Sequence, residues 1–209
     1  MLPTGGFLGD AEMKFGPGLL VVLAALLALG VTPAVAHDAA GAVGGFASGF
    51  THPIFGWDHV VAMVAVGLWG AFLGAPAIWL LPVVFPLVMA GGGALGILGV
   101  AVPAVETGIA ASAVVLGLLV AFAARPPLWL AALVVGAFAV FHGHAHGTEL
   151  PAAADPLTYA IGFVLATGVL HLLGIAFGLL VRWPAGMIAV RAGGGGIALA
   201  GLAFLTGLV

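Results

Sequence analysis

PLWLAALVVGAFAVFHGHAHGTEL, residues 127–150, is an apolar run that ends in three histidines and a carboxylate. About 20 apolar residues carry a helix across a bilayer, so the spacing predicts a membrane span over 127–145. If that helix persists to its end, His142 and His146 share one face at i, i+4, and His144 points elsewhere. Gly143 and Gly147 would let the backbone bend. The C-terminal end of a helix carries partial negative charge, which favours a bound cation. A solvated histidine-rich loop with no specific ligand is the bland alternative.

The rest of the chain agrees with the membrane reading. Its 209 residues are 64% hydrophobic and 5% charged, where soluble domains carry about a quarter charged residues. Such a polar inventory cannot cover a water-facing surface or supply a soluble catalytic domain. Further spans are expected near 54–74, 78–102, 105–124, 156–181 and 187–208, joined by short links as lipid demands. The expectation is an all-α membrane protein, a polytopic bundle of about six transmembrane helices.

Before these spans, Lys14 precedes the apolar run 19–31, and Ala34-Val35-Ala36 follows. That order resembles a signal peptide over residues 1–36, with cleavage before His37 and residues 37–209 as the six-helix membrane domain. Met13 is a natural start, so residues 1–12 read as a mis-assigned extension. An uncleaved first helix is the alternative. Cleavage would leave the mature N-terminus periplasmic and put Arg125, Arg182 and Arg191 in cytoplasmic loops, as the positive-inside rule requires.

Composition also excludes classes. There are no cysteines, hence neither disulfides nor thiolate metal sites. No basic run offers a nucleic-acid footprint. Imidazole and carboxylate without thiolate suit Ni, Co, Zn or Cu(II) better than Cu(I) or Mg.

A second constellation opens the first mature span: THPIFGWDHVVAM, residues 51–63. Pro53 suits a first helical turn. Asp58 and His59 then fall inside the membrane, where an ionisable residue is functional by default. They read as ligands, or as a structural pair tying two helices. Met63 shares the His59 face but reads first as ordinary core packing. His52 is a ligand or an exposed cap. Glu106 begins the third span, as a ligand or as a charge complementing the helix dipole. His171 lies deep in the fifth span, as a relay group or a buried hydrogen-bonding histidine. Phe85 lines a constriction or packs in the core.

With these residues in place, the chain resembles the HupE/UreJ family of nickel and cobalt permeases. The resemblance rests on HPIFGWDHVVAMVAVGLWG (52–70), similar to the family's HPxxGxDHxxxM signature, and on FHGHAHGTE (141–149). FPLVMAGGGALG (85–96) and VETGIAASAVVLG (105–117) also match family segments. The resemblance implies uptake of Ni2+, or Co2+, across the bacterial inner membrane, with no prosthetic group, feeding hydrogenase or urease maturation proteins. It points to His52, Asp58, His59, Glu106, His142, His144, His146 and Glu149 as metal residues and matches Phe85 as an accessory pathway position; His37, Met63 and His171 join Phe85 as accessory candidates by their placement in the chain. The expected layout is an outer funnel of His37, His142 and His144 above a transfer site of His52, Asp58, His59, Glu106, His146 and Glu149. A homo-oligomer is compatible with this reading. The rival from another class is an intramembrane zinc-dependent hydrolase, which needs an open coordination position; no HExxH occurs.

Overall fold

Proline and glycine set the helix boundaries. Pro156 and Pro184 occupy first helical turns, and the Asp155 carboxylate caps the former by accepting from the Thr158 N–H at 2.8 Å. The structure is a computed structural model that describes residues 44–150 and 155–208. The expected signal segment and His37 lie outside them. The described residues form seven α-helices and no strand. These are α1 (Gly45–Phe55), α2 (Trp57–Leu73), α3 (Ala77–Ile97), α4 (Val105–Ala121), α5 (Leu128–Thr148), α6 (Pro156–Gly178) and α7 (Pro184–Thr206), with a 3-10 turn at Leu179–Arg182.

Four of these helices are long and apolar enough to cross a membrane: α3, α5, α6 with its 3-10 turn, and α7. The bent pair α1–α2 makes a fifth if counted as one span. Helix α4 is apolar but has 17 residues, short of the usual ~20.

The span expected over 54–74 differs from expectation. Rather than one helix over 54–74, there are two, bent by 80° at Gly56. Pro53 therefore lies inside the last turn of α1 instead of opening the span. The cause is local: Gly56 is extended (φ −81°, ψ 100°), and its N–H returns to the His52 carbonyl at 3.1 Å. The second span also ends early, at Ile97, because Gly99 turns the chain with φ +71°, a conformation glycine adopts without a Cβ penalty.

Helices pack through glycine seams. On α3 and α5, a Cβ at Gly143 would run into the Met89 carbonyl, and one at Gly147 into that of Gly93. Small residues allow such backbone approach in membranes, where lipid supplies no hydrophobic drive between helices. Gly67 and Gly174 form the matching seam of α2 against α6. Large side chains fill what remains: Met63, Trp69, Leu81, Phe85 and Leu116 are fully buried.

The bundle is polarised. At one end, Arg125 lies 4.7 Å over the Phe72 ring, and Arg191 Nε donates to the Ala121 carbonyl at 2.8 Å. Asp58 and His59 stand at the opposite end of α2 from Phe72, with His52 beside them, and His146 and Glu149 at the opposite end of α5 from Arg125.

Candidate metal centre

The bend at Gly56 brings α1 and α2 together around one point. His52 reaches it from the last turn of α1, and His59 from the first turn of α2. His146 arrives from the last turn of α5. One ligand nitrogen from each of the three lies within 4.8 Å of the others. Imidazole nitrogens bound to one transition-metal ion at 2.0–2.1 Å sit roughly 3.3 Å apart. Modest ring rotations would close that difference.

Gly56 does more than bend the chain. A Cβ there would sit 3.2 Å from both Asp58 Oδ1 and His59 Nδ1. Those two atoms are themselves 2.7 Å apart. A carboxylate only accepts, so His59 Nδ1 carries the proton and Nε2 keeps a bare lone pair. Nε2 is buried without a partner. This is the carboxylate–histidine arrangement that orients a metal ligand and raises its basicity.

His142 is fixed by the same logic from the other side. The Ser112 hydroxyl donates to the Ile109 carbonyl at 2.6 Å and lies 3.0 Å from His142 Nε2. With its only proton spent, the hydroxyl must accept, so Nε2 carries the hydrogen and Nδ1 is bare. That Nδ1 is buried and unpaired, and the His142 ring stands 5.1 Å from that of His59.

His146 has both ring nitrogens buried and unpaired. Its ring is 4.6 Å from His59, 4.8 Å from His52 and 3.9 Å from Phe163. An apolar cleft between α3, α5 and α6, lined by Pro86, Met89, Tyr159 and Phe163, opens onto it. Buried polar atoms are almost always satisfied, and leaving one unpaired costs about 1–3 kcal/mol. Several convergent orphans with lone pairs make this cluster a candidate cation site.

At the mouth, His52 Nε2 lies 3.4 Å from Glu149 Oε2. The imidazole beside it holds the Glu149 carboxyl below the usual carboxylate range. Glu149 follows the last residue of α5 and is exposed.

Other expected site residues fall elsewhere. His142 does not belong to an outer funnel: it is 0% exposed. Helix α5 runs toward the histidine end, so the residue one turn before His146 lies one turn deeper. His144 faces away from the cluster and donates from Nε2 to the Val100 carbonyl at 2.8 Å. Glu106 is exposed in the first turn of α4, and among the described residues no hydrogen bond or ion pair joins it to a histidine. Met63 packs in the apolar core. Phe85 lies 5.4 Å from both the His142 and His171 rings. Ser112 is the contributor that sequence reasoning passed over. A lone serine in an apolar helix was its only signal.

Comparison with known proteins agrees with the motifs. A family model described as HupE / UreJ protein matches residues 23–204. A curated protein named Protein HupE, from Rhizobium leguminosarum bv. viciae, is 49% identical over 176 residues, 84% of this chain and 92% of its own length. No solved structure matches the chain.

Proposed function

The chain belongs to the HupE/UreJ family, and on that premise we propose that it carries divalent nickel, or cobalt, across the bacterial inner membrane to supply hydrogenase or urease maturation. The single observation that carries this reading is the convergence of His52, His59 and His146 within 4.8 Å. Asp58 and Ser112 orient the bare nitrogens around it.

In this reading six helices cross the membrane after a cleaved signal peptide over 1–36, with residues 37–209 as the mature permease. The histidine end faces the periplasm and the arginine end the cytoplasm. Glu149, with Glu106 at the same end, attracts the hydrated cation. His52, His59 and His146 replace its water. His142, one turn deeper, takes it onward through Nδ1. Ligands must strip water yet release the ion, so a few imidazoles shared between stages suit passage better than one closed cage.

No motor is needed. A divalent cation entering an inside-negative compartment gains roughly 4.6 kcal/mol per 100 mV, twice the single-charge figure.

The test is radiolabelled nickel uptake into cells lacking their own nickel importers, comparing wild type with Asp58→Asn and His146→Ala at matched expression, with cobalt as competitor. Uptake by wild type and its loss in both variants is expected. A well-expressed wild type that accumulates no nickel would overturn the proposal.

A further inference from the structure

Helix α6 carries a buried row that the metal centre does not use up. Tyr159, Phe163, Thr167 and His171 follow one another at i+4, so they share one helix face, and all four are buried. The first two stand at the metal centre: Phe163 packs on His146, and Tyr159 lies 6.4 Å from the His52 ring. The last two do not. At 1.5 Å per residue, His171 sits roughly 22 Å along α6 from Pro156, well past the middle of the helix.

His171 is 1% exposed, and neither ring nitrogen makes a hydrogen bond of ordinary geometry. Thr167 is 0% exposed, and its Oγ1 is likewise unpartnered. A third polar group is freed by sequence. Pro86 has no N–H, so the Pro82 carbonyl four residues earlier in α3 has no partner within its helix. That carbonyl faces the His171 ring without making a hydrogen bond of ordinary geometry to it.

Between this group and the metal centre stands one side chain. The Phe85 ring is fully buried, tilted against His142 at 5.4 Å and edge-on to His171 at 5.4 Å. Its position matches an apolar constriction between two polar stations. Such constrictions gate ions by excluding water.

Building on the transport reading above, we infer that His171, with Thr167 Oγ1 and the Pro82 carbonyl, forms a second cation station beneath Phe85. It receives the ion from His142 Nδ1. Whichever tautomer His171 takes, a neutral imidazole keeps one bare lone pair. One nitrogen and two neutral oxygens bind a borderline divalent cation more weakly than an imidazole cluster does. A station deeper than the imidazole cluster needs that weakness, because the ion has to leave it.

The test uses full-length protein in proteoliposomes, with nickel alone and then cadmium as probes. Nickel binding is measured by equilibrium dialysis and nickel flux under an inside-negative potential. His171→Ala is expected to keep the tight nickel binding of the upper cluster, which it leaves intact, and to lose only the weaker second site. It should lose about tenfold or more of its maximal flux with half-saturation unchanged. His171→Cys restores a soft ligand at the same place, so flux should return with selectivity shifted toward cadmium. Wild-type flux in His171→Ala would overturn the station. So would equal loss in both variants with no change in metal preference, since that is the mark of a packing role. If wild type itself neither binds nor carries nickel, the transport reading fails first. That result is distinct from a failure at His171 alone.

Discussion

Ser112 sets the tautomer of His142. Its hydroxyl hydrogen is committed to the Ile109 carbonyl at 2.6 Å, so the 3.0 Å contact with His142 Nε2 runs from imidazole to serine. Nδ1 is thereby left bare, buried and unpaired by a contact 30 residues away in sequence. Ser112→Ala removes the acceptor and leaves the Nε2 hydrogen buried and unpaired. Stability should fall by about 1–3 kcal/mol. Nickel uptake should fall about 10–100-fold, as for other groups that orient metal ligands. Thermal unfolding and nickel uptake at matched expression measure the two effects. Unchanged uptake would mean that the His142 tautomer is immaterial to passage.

Asp58 plays the matching part for His59. Asp58→Asn presents an amide that can donate as well as accept, so His59 no longer has one enforced tautomer. Nickel affinity should drop about 10–100-fold, read by equilibrium dialysis on purified protein. Asp58→Glu, which keeps the charge but moves the oxygens, should fall between the two. An unaltered nickel affinity in Asp58→Asn would remove Asp58 from the site.

Gly56 is expected to be intolerant of alanine for a purely steric reason. Its φ of −81° is open to any residue, so no backbone strain arises. The added Cβ would press on Asp58 Oδ1 and His59 Nδ1 at 3.2 Å each. Gly56→Ala should therefore cut uptake while membrane expression and unfolding temperature stay near wild type. Loss of expression instead would show that the bend itself needs glycine.

A pair of glycine substitutions separates packing from propensity. Gly143→Ala drives a methyl into the Met89 carbonyl across the α3–α5 seam, and such overpacking costs about 1–3 kcal/mol. Gly168→Ala, in α6, meets nothing within 4 Å and should stabilise the helix by about 0.8–1 kcal/mol. Unfolding temperatures in one detergent should move in opposite directions. If both fall, the seam is not the cause.

Much of this was legible in the residues. Low charge and repeated apolar runs announce membrane helices, because bilayer thickness dictates their length and lipid forbids unsatisfied backbone. The separation of arginines from histidines was visible too, since each span reverses direction. That His142 and His146 share a face follows from 3.6 residues per turn alone. The break at Gly56 was not legible: Pro53 fits a first helical turn as well as a last one, and glycine is tolerated inside helices. Nor was the depth of His142, which depends on the direction in which α5 runs past its neighbours.

By itself, then, the sequence determined a multi-pass helical membrane protein with five of its seven histidines gathered in two motifs at one end. Tertiary structure alone decided which of them meet. His52, His59 and His146 converge because an 80° bend folds α1 back toward α5. Likewise, Ser112 reaches His142, and Phe85 separates His142 from His171, through contacts between different helices. Local periodicity fixes which side of a helix a residue occupies. Only packing fixes what stands opposite.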